Sequence, residues 1–188
     1  MKTIIILFAI FALACSKGVL FPLEWPWSKF DDVEVVDKLD LQKYLGHWYE
    51  IAAIPYHFEK GCHCSQANYS VNTDGTIKIL NACKRDSVNN KYDVKEGKAW
   101  VKGNPAKLQL EFFFPFDARY WVLQVDRKYR YAMVGEPTKK HLWILSRTPT
   151  LSKRIYKKLV KFAENQGFPT NELEMTDQSC SKTFIDEL

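Results

Sequence analysis

The stretch from Trp48 to Ser146 reads as eight short β-forming runs joined by short turns, and this pattern limits the fold more than any other. The runs are Trp48–Ile54, Cys64–Val71, Thr76–Cys83, Asp93–Lys102, Lys107–Phe113, Arg119–Val125, Arg130–Gly135 and His141–Ser146. Lys107 to Phe113 alternates, with Leu108, Leu110 and Phe112 on one face and Lys107, Gln109 and Glu111 on the other, as a strand with one buried face does. Asn72-Thr73-Asp74-Gly75 lies between two such runs and is a hairpin signal. Many strands at even spacing predict an antiparallel sandwich or barrel. The period then changes. From Ser152 to Gln166 the apolar residues Ile155, Leu159 and Phe162 recur at helical spacing, with Lys153, Arg154, Lys157, Lys158 and Lys161 between them. Ser152 can cap this helix and Gly167 can end it. The apolar stripe would rest on the outside of the β-structure, with the basic face in solvent.

Gly46-His47-Trp48 at the first strand and Arg147 just after the last fit such a barrel. One end of a small barrel must be sealed against water. A Trp laid across it, with a guanidinium on its face, gives a dry plug and a cation–π contact of about 0.5–2 kcal/mol. Gly46 lets the chain enter closely. The other end would then be a mouth for an apolar ligand.

At 188 residues the chain has room for one domain with a sizeable core. Its 27 basic and 22 acidic residues are spread along it, with no basic stripe interleaved with aromatics of the kind that binds nucleic acid. Lys2 followed by the uncharged run Thr3 to Ala14 has the length of a secretory h-region and is too short to span a bilayer. The expected segments are a leader over 1–15, a proline-broken linker or strap over 16–39, a β-barrel domain over 40–180 and a tail over 181–188.

Export into an oxidising compartment frames the five cysteines. Cys15, directly after Ala12-Leu13-Ala14, resembles the acylated cysteine of a bacterial lipobox, which would attach the chain to a membrane. Cys62, Cys64, Cys83 and Cys180 then form two bridges, with three connectivities open. Cys62-His63-Cys64 lacks the ligand number for zinc and the two-residue spacing of a redox pair. His47, His57, His63 and His141 stand beside no nucleophile–base pair, and no glycine-rich phosphate loop is present. Binding is therefore expected rather than catalysis, with no metal and no cofactor.

Eight antiparallel strands followed by one helix, with Gly-x-Trp on the first strand, resemble the lipocalin family. Tyr44-Leu45-Gly46-His47-Trp48-Tyr49-Glu50-Ile51, Ile54-Pro55 and Phe58-Glu59-Lys60-Gly61 are similar to two of its groups, the bacterial outer-membrane lipocalins and apolipoprotein D. Gln66-Ala67-Asn68-Tyr69-Ser70 resembles the latter. Glu96-Gly97-Lys98-Ala99, Asp126-Arg127-Lys128-Tyr129-Arg130 and Leu142-Trp143-Ile144-Leu145-Ser146-Arg147-Thr148-Pro149-Thr150 resemble the former. Asp126 and Tyr129 stand where the family has a tighter acidic–aromatic motif.

The resemblance implies an eight-stranded up-and-down barrel with a C-terminal helix packed outside. It implies a cavity for a small hydrophobic ligand: a fatty acid, a lysophospholipid or a sterol-like molecule. If Asn68 points outward, as in glycosylated relatives, then Tyr69 points inward, with Ala67 and Val71 on its face. Phe112 joins them from its apolar face, and Trp100, Trp121 and Trp143 are each either cavity wall or barrel exterior. The resemblance also implies a Cys64–Cys180 bridge, leaving Cys62–Cys83, which the Asp74-Gly75 hairpin brings near each other. A lipid-acting enzyme and a ligand-free structural protein are the alternatives. Cys15 points to a bacterial outer membrane. Asn68-Tyr69-Ser70, a glycosylation sequon, and Ile185-Asp186-Glu187-Leu188, similar to a retrieval signal of the endoplasmic reticulum, point to a eukaryotic secretory pathway. The bacterial reading is preferred because it accounts for the odd cysteine.

Overall fold

A computed structural model describes residues 33–56, 59, 61–85, 91–113, 116–180 and 183–184. Cys15, the leader and the four C-terminal residues lie outside these. In chain order the elements are α1 (Leu41–Tyr44), β1 (Gly46–Ile54), β2 (His63–Val71), β3 (Ile77–Lys84), β4 (Tyr92–Lys102), β5 (Asn104–Phe113), β6 (Phe116–Val125), β7 (Tyr131–Gly135), β8 (Leu142–Ser146), α2 (Lys153–Asn165) and β9 (Glu174–Met175), with a 3₁₀ turn at Thr170–Glu172 before β9. Strands β1 to β8 pair antiparallel with their sequence neighbours, and β1 pairs with both β2 and β8, so the sheet closes into a barrel. Closure leaves the eight long strands with no free edge.

The hairpins form where turn chemistry allows. Between β2 and β3, the Asn72 carbonyl accepts from Gly75 N–H at 3.0 Å, and Gly75 has φ +80°, a conformation that excludes most side chains. Asp74 accepts from Thr76 N–H at 3.0 Å and from the Lys98 ammonium at 2.6 Å, tying the turn to β4.

Two apolar clusters share the barrel wall. The inner one holds Trp48, Tyr69, Ile77, Ile79, Leu108, Leu110, Val122, Val134 and Leu145. The outer one holds Ile51, Ile54, Trp121, Leu123, Met133, Leu142 and Ile144 beneath Leu159, Ala163 and Phe168 of the α2 region. Strands β6 to β8 are covered on both faces, which is why Trp121-Val122-Leu123 and Ala132-Met133-Val134 carry no alternation. Irregular register at Glu50/Ala52 and Val122/Gln124 bends the wall under the helix. The Ser152 hydroxyl caps α2 by accepting from Ile155 N–H at 3.4 Å, and its five lysines and arginines are exposed. Gly135 lets α2's trailing loop approach: a Cβ there would stand 2.8 Å from Phe168 Cζ and 2.9 Å from Leu123 Cδ1.

The packed unit begins before residue 40. Val33 and Leu39 are buried, Val36 N–H donates to the Val122 carbonyl at 3.1 Å, and the side chain of Gln166 bonds both the backbone and the carboxylate of Glu34. Residues 33–39, expected as part of the linker, are therefore part of the packed unit. Beyond α2, β9 pairs with β1 where β2 diverges. Gln178 Nε2 donates to the carbonyls of Glu50 (2.8 Å) and Ser65 (2.7 Å), and Cys64 N–H donates to Asp177 (2.7 Å), so residues 174–178 fill a seam between β1 and β2. Cys64–Cys180 fastens that seam, and Cys62–Cys83 joins the start of β2 to β3.

Candidate ligand cavity and barrel plug

Gly46 (φ +87°) starts β1 so closely under Arg147 that a Cβ would lie 3.5 Å from Nη1. The guanidinium carbon stands 3.7 Å from the centre of the buried Trp48 ring. Its N–H groups donate to five carbonyls: His47 (2.6 Å), Lys43 (2.8 Å), Leu45 (2.8 Å), Tyr44 (3.2 Å) and Tyr129 (3.2 Å). Trp48 Nε1 donates to the Tyr44 carbonyl at 2.8 Å. One cation therefore terminates the backbone of α1 and pins it across the barrel end; burial lowers its pKa. Asp126 pairs with Arg130 through Nε (2.6 Å) and Nη2 (3.1 Å), and the Tyr129 hydroxyl accepts from Asp40 N–H at 2.8 Å. The loosely spaced acidic and aromatic residues thus both stabilise the closed end.

Above the plug lies the floor of the barrel. Leu41, Tyr44, Leu45, Tyr69, Ile77, Ile79, Leu108, Leu110 and Tyr120 line a space of about 10 Å³ for a water-sized sphere, close to one water's need. The Tyr120 hydroxyl is bonded to those of Tyr44 (2.7 Å) and Tyr69 (2.9 Å). Desolvation raises all three phenols, Tyr69 to about 12, so they stay protonated.

Toward the opposite rim, Trp143 turns inward against the inner cluster and stacks near Tyr56 (5.8 Å), which also stacks on His141. Glu59 accepts from Tyr56 N–H at 2.7 Å. Glu50 accepts from the Thr176 hydroxyl at 2.6 Å. Burial, with Glu59 adding like charge, pushes Glu50 up to about 7; burial also raises Glu59.

The structure sorts the expected cavity residues. Ala67 and Tyr69 are buried in the inner cluster, and Trp143 packs against it. Val71 does not line the cavity: it is 50 % exposed, because β2 runs past the barrel end before its hairpin. Trp100 does not either. Its neighbour Ala99 faces inward opposite Leu110, so Trp100, opposite Gln109, takes the outer face between Lys98 and Lys102. Trp121 lies in the outer cluster beneath α2, with the Lys107 ammonium 4.0 Å over its ring. The side chain of Phe112 lies outside the described residues. Asn68 is half-buried on the outer face. Sequence reasoning missed Tyr44, Tyr120, Glu50 and Glu59. Alternation along β3 and β5 was the available signal for Ile77, Ile79, Leu108 and Leu110.

Comparison with known proteins supplies the remaining findings. A family model described as a lipocalin-like domain matches residues 39–178. The chain is 41 % identical over 143 residues to outer membrane lipoprotein Blc of Citrobacter freundii, covering 75 % of this chain and 80 % of that one. It is 36 % identical over 171 residues to apolipoprotein D of Cavia porcellus, covering 85 % and 87 %. Among solved structures, insecticyanin from the tobacco hornworm Manduca sexta superimposes with a TM-score of 0.62 at 22 % identity, covering 77 % of this chain and 84 % of that chain, a likeness of fold.

Proposed function

The chain belongs to the lipocalin-like family, and from that premise we propose that it binds and carries a small hydrophobic molecule, rather than catalysing a reaction. The observation that carries this reading is the barrel interior itself: apolar side chains from β2, β3, β5 and β6, sealed at one end by the Trp48–Arg147 plug. Such an interior takes apolar surface out of water at about 25 cal/mol per Å². A fatty acid, a lysophospholipid and a sterol-like molecule are the ligand classes it suits. The small free space at the floor favours one rival, a filled barrel with a purely structural role. Native mass spectrometry after mild extraction separates the two. A co-purified lipid supports carriage, as does quenching of Trp143 fluorescence by added lipid. Protein that is always empty, with no quenching, refutes it.

Export, with attachment to a membrane through an acylated Cys15, is the placement we propose. The likeness to an outer membrane lipoprotein and the paired cysteines both support it. The intact mass of the mature protein tests it. A diacylated or triacylated N-terminal Cys15 is expected, and a glycan on Asn68 with an unmodified N-terminus would place the chain in a eukaryotic secretory pathway instead.

A further inference from the structure

The outward side of α2 carries charge of almost one sign. Lys153, Arg154, Lys157, Lys158 and Lys161 are exposed along it. Its only carboxylate, Glu164, is bonded to Lys161 at 3.0 Å. Among the described residues, the other four cations meet no carboxylate within ion-pair distance. Like charges four apart on a helix repel, and Lys153–Lys157 and Arg154–Lys158 are two such pairs with nothing on the protein to offset them. An external array of anions would relieve that repulsion.

The face continues onto the barrel. Between α2 and the turn from β6 to β7 lies a groove of about 360 Å³, in which Lys158 of the helix and Arg127 of the turn stand beside Gln124 and Tyr131. The amide and the phenol are further donors. The groove's one carboxylate, Asp126, is held by Arg130 through both oxygens, at 2.6 and 3.1 Å. Arg127 and Lys158 therefore face no free acid in it, and an oxyanion between them would meet two cations.

The form of the face selects its occupant. The cations spread over about 12 Å of helix, from Lys153 to Lys161, and suit a layer of anions better than a single small one. Tyr156 and Phe162, the aromatic residues of α2, pack inward on the barrel, so no ring is offered for a nucleic-acid base to stack on. No large apolar side chain of α2 is exposed, so the helix would rest among headgroups rather than insert between acyl chains.

We propose that this face is where the protein lies on an anionic bilayer, with one phosphodiester headgroup seated in the groove between Arg127 and Lys158. The inference deepens the proposed placement at a membrane: an acyl group on Cys15 would hold the chain there, and α2 sets which side of the barrel meets the lipid.

The test uses the mature chain from residue 15 with Cys15→Ser, so that no acyl group contributes. Cosedimentation with vesicles of equal parts phosphatidylcholine and phosphatidylglycerol is compared with vesicles of phosphatidylcholine alone. Binding is expected only to the anionic vesicles at about 0.1 M salt, and should be lost at about 1 M, where charges act over only about 3 Å. Each basic residue near such a surface contributes about fivefold in affinity, so Lys153→Gln/Lys157→Gln and Arg127→Gln/Lys158→Gln should each weaken binding about 25-fold. Lys91→Gln/Lys102→Gln makes the same change of charge at the two ends of β4, on the wall opposite α2, and should weaken it by less than about twofold. Glu164→Gln removes the face's carboxylate and should tighten it. Equal binding to both kinds of vesicle, or to neither, overturns the proposal, as does a β4 variant that loses as much as the α2 variant. If the α2 variant weakens binding and the groove variant does not, the headgroup seat is refuted. If vesicles fail but glycerol 3-phosphate in solution shifts the Arg127 side-chain resonance, the groove takes a free phosphate ester and the membrane reading of this face falls; if vesicles fail and polyglutamate binds, the occupant is an acidic protein. Failure of any of these kinds leaves anchoring through Cys15 standing, whereas an unacylated native N-terminus with vesicle binding intact would remove the anchor alone.

Discussion

Replacing Arg147 tests what holds the closed end together. Three of its five bonds to carbonyl oxygens are short, at 2.6 to 2.8 Å, to His47, Lys43 and Leu45. At about 1 kcal/mol net for each half-buried bond, and about 1 kcal/mol for the contact with Trp48, Arg147→Met should cost about 4 kcal/mol. Its methylene stem and much of its packing are kept in Met, so the loss reports the fork. Arg147→Lys is the sharper variant. It keeps the positive charge above the indole, but a single ammonium cannot reach carbonyls that lie on several sides of a planar guanidinium. We expect it to cost about 2–3 kcal/mol. Urea unfolding followed by tryptophan fluorescence gives both values from the midpoints at constant m. A loss of about 4 kcal/mol corresponds to about 8–16 °C in Tm for a domain of this size. If Arg147→Lys falls within 0.5 kcal/mol of the parent, charge rather than the five-carbonyl fork holds the plug, and the account of α1 as a pinned lid is wrong.

Three further outcomes follow from the packing and the charges. Glu50 has a folded pKa of about 7, above its usual 4.5, so the native state holds its proton longer than the unfolded chain, and stability falls as pH rises from about 4.5 through 7. That rise is worth about 3 kcal/mol, trimmed to about 2 by Glu50's partial contact with solvent. Glu50→Gln should thus be about 2 kcal/mol more stable than the parent at pH 8 and equal to it at pH 4; parallel pH profiles of urea unfolding would count against it. Cys64→Ser/Cys180→Ser opens a separation of 116 residues and should cost about 4–5 kcal/mol, against about 3 for Cys62→Ser/Cys83→Ser with its separation of 21. The reverse order in denaturant would show that chain entropy does not govern these bridges. Gly135→Ala forces a methyl group against Phe168 and Leu123 and should cost about 1–3 kcal/mol, part of it restored by Phe168→Leu; an unchanged midpoint would mean that the loop after α2 yields freely.

The barrel was readable because most of its strands announce themselves. β5 alternates cleanly, the Asp74-Gly75 turn sets β2 against β3, and the change of period marks α2. The faces of β6 to β8 were not readable. Both sides of those strands are covered, so apolar residues stand at every position, and Trp121 and Tyr120 could not be told apart as outer and inner. Trp100 misleads for a related reason. A large aromatic on an outer face between lysines looks like core by residue type, and only its register opposite Gln109 shows otherwise. Val71 has the correct parity but lies at a strand end, where parity no longer implies burial. Tyr44 sits in a helix of four residues and β9 is two residues long; neither is long enough to carry a periodic signal. The Cys64–Cys180 pairing came from family resemblance, since four cysteines alone allow three connectivities.

The seam between β1 and β2 has a consequence for how the protein is made. Residues 174–180 fill it, so the wall is incomplete until the ribosome has passed Cys180. Cys62 and Cys83 meet once the first hairpin has emerged. Cys64 must wait while about a hundred further residues are added, about 5–20 seconds at ordinary elongation rates. Thiol exchange runs on that timescale or slower, and Cys62 and Cys64 emerge together, so order of synthesis does not choose between them for Cys83. The seam does: docking of residues 174–178 brings Cys180 to Cys64 and leaves Cys83 to Cys62.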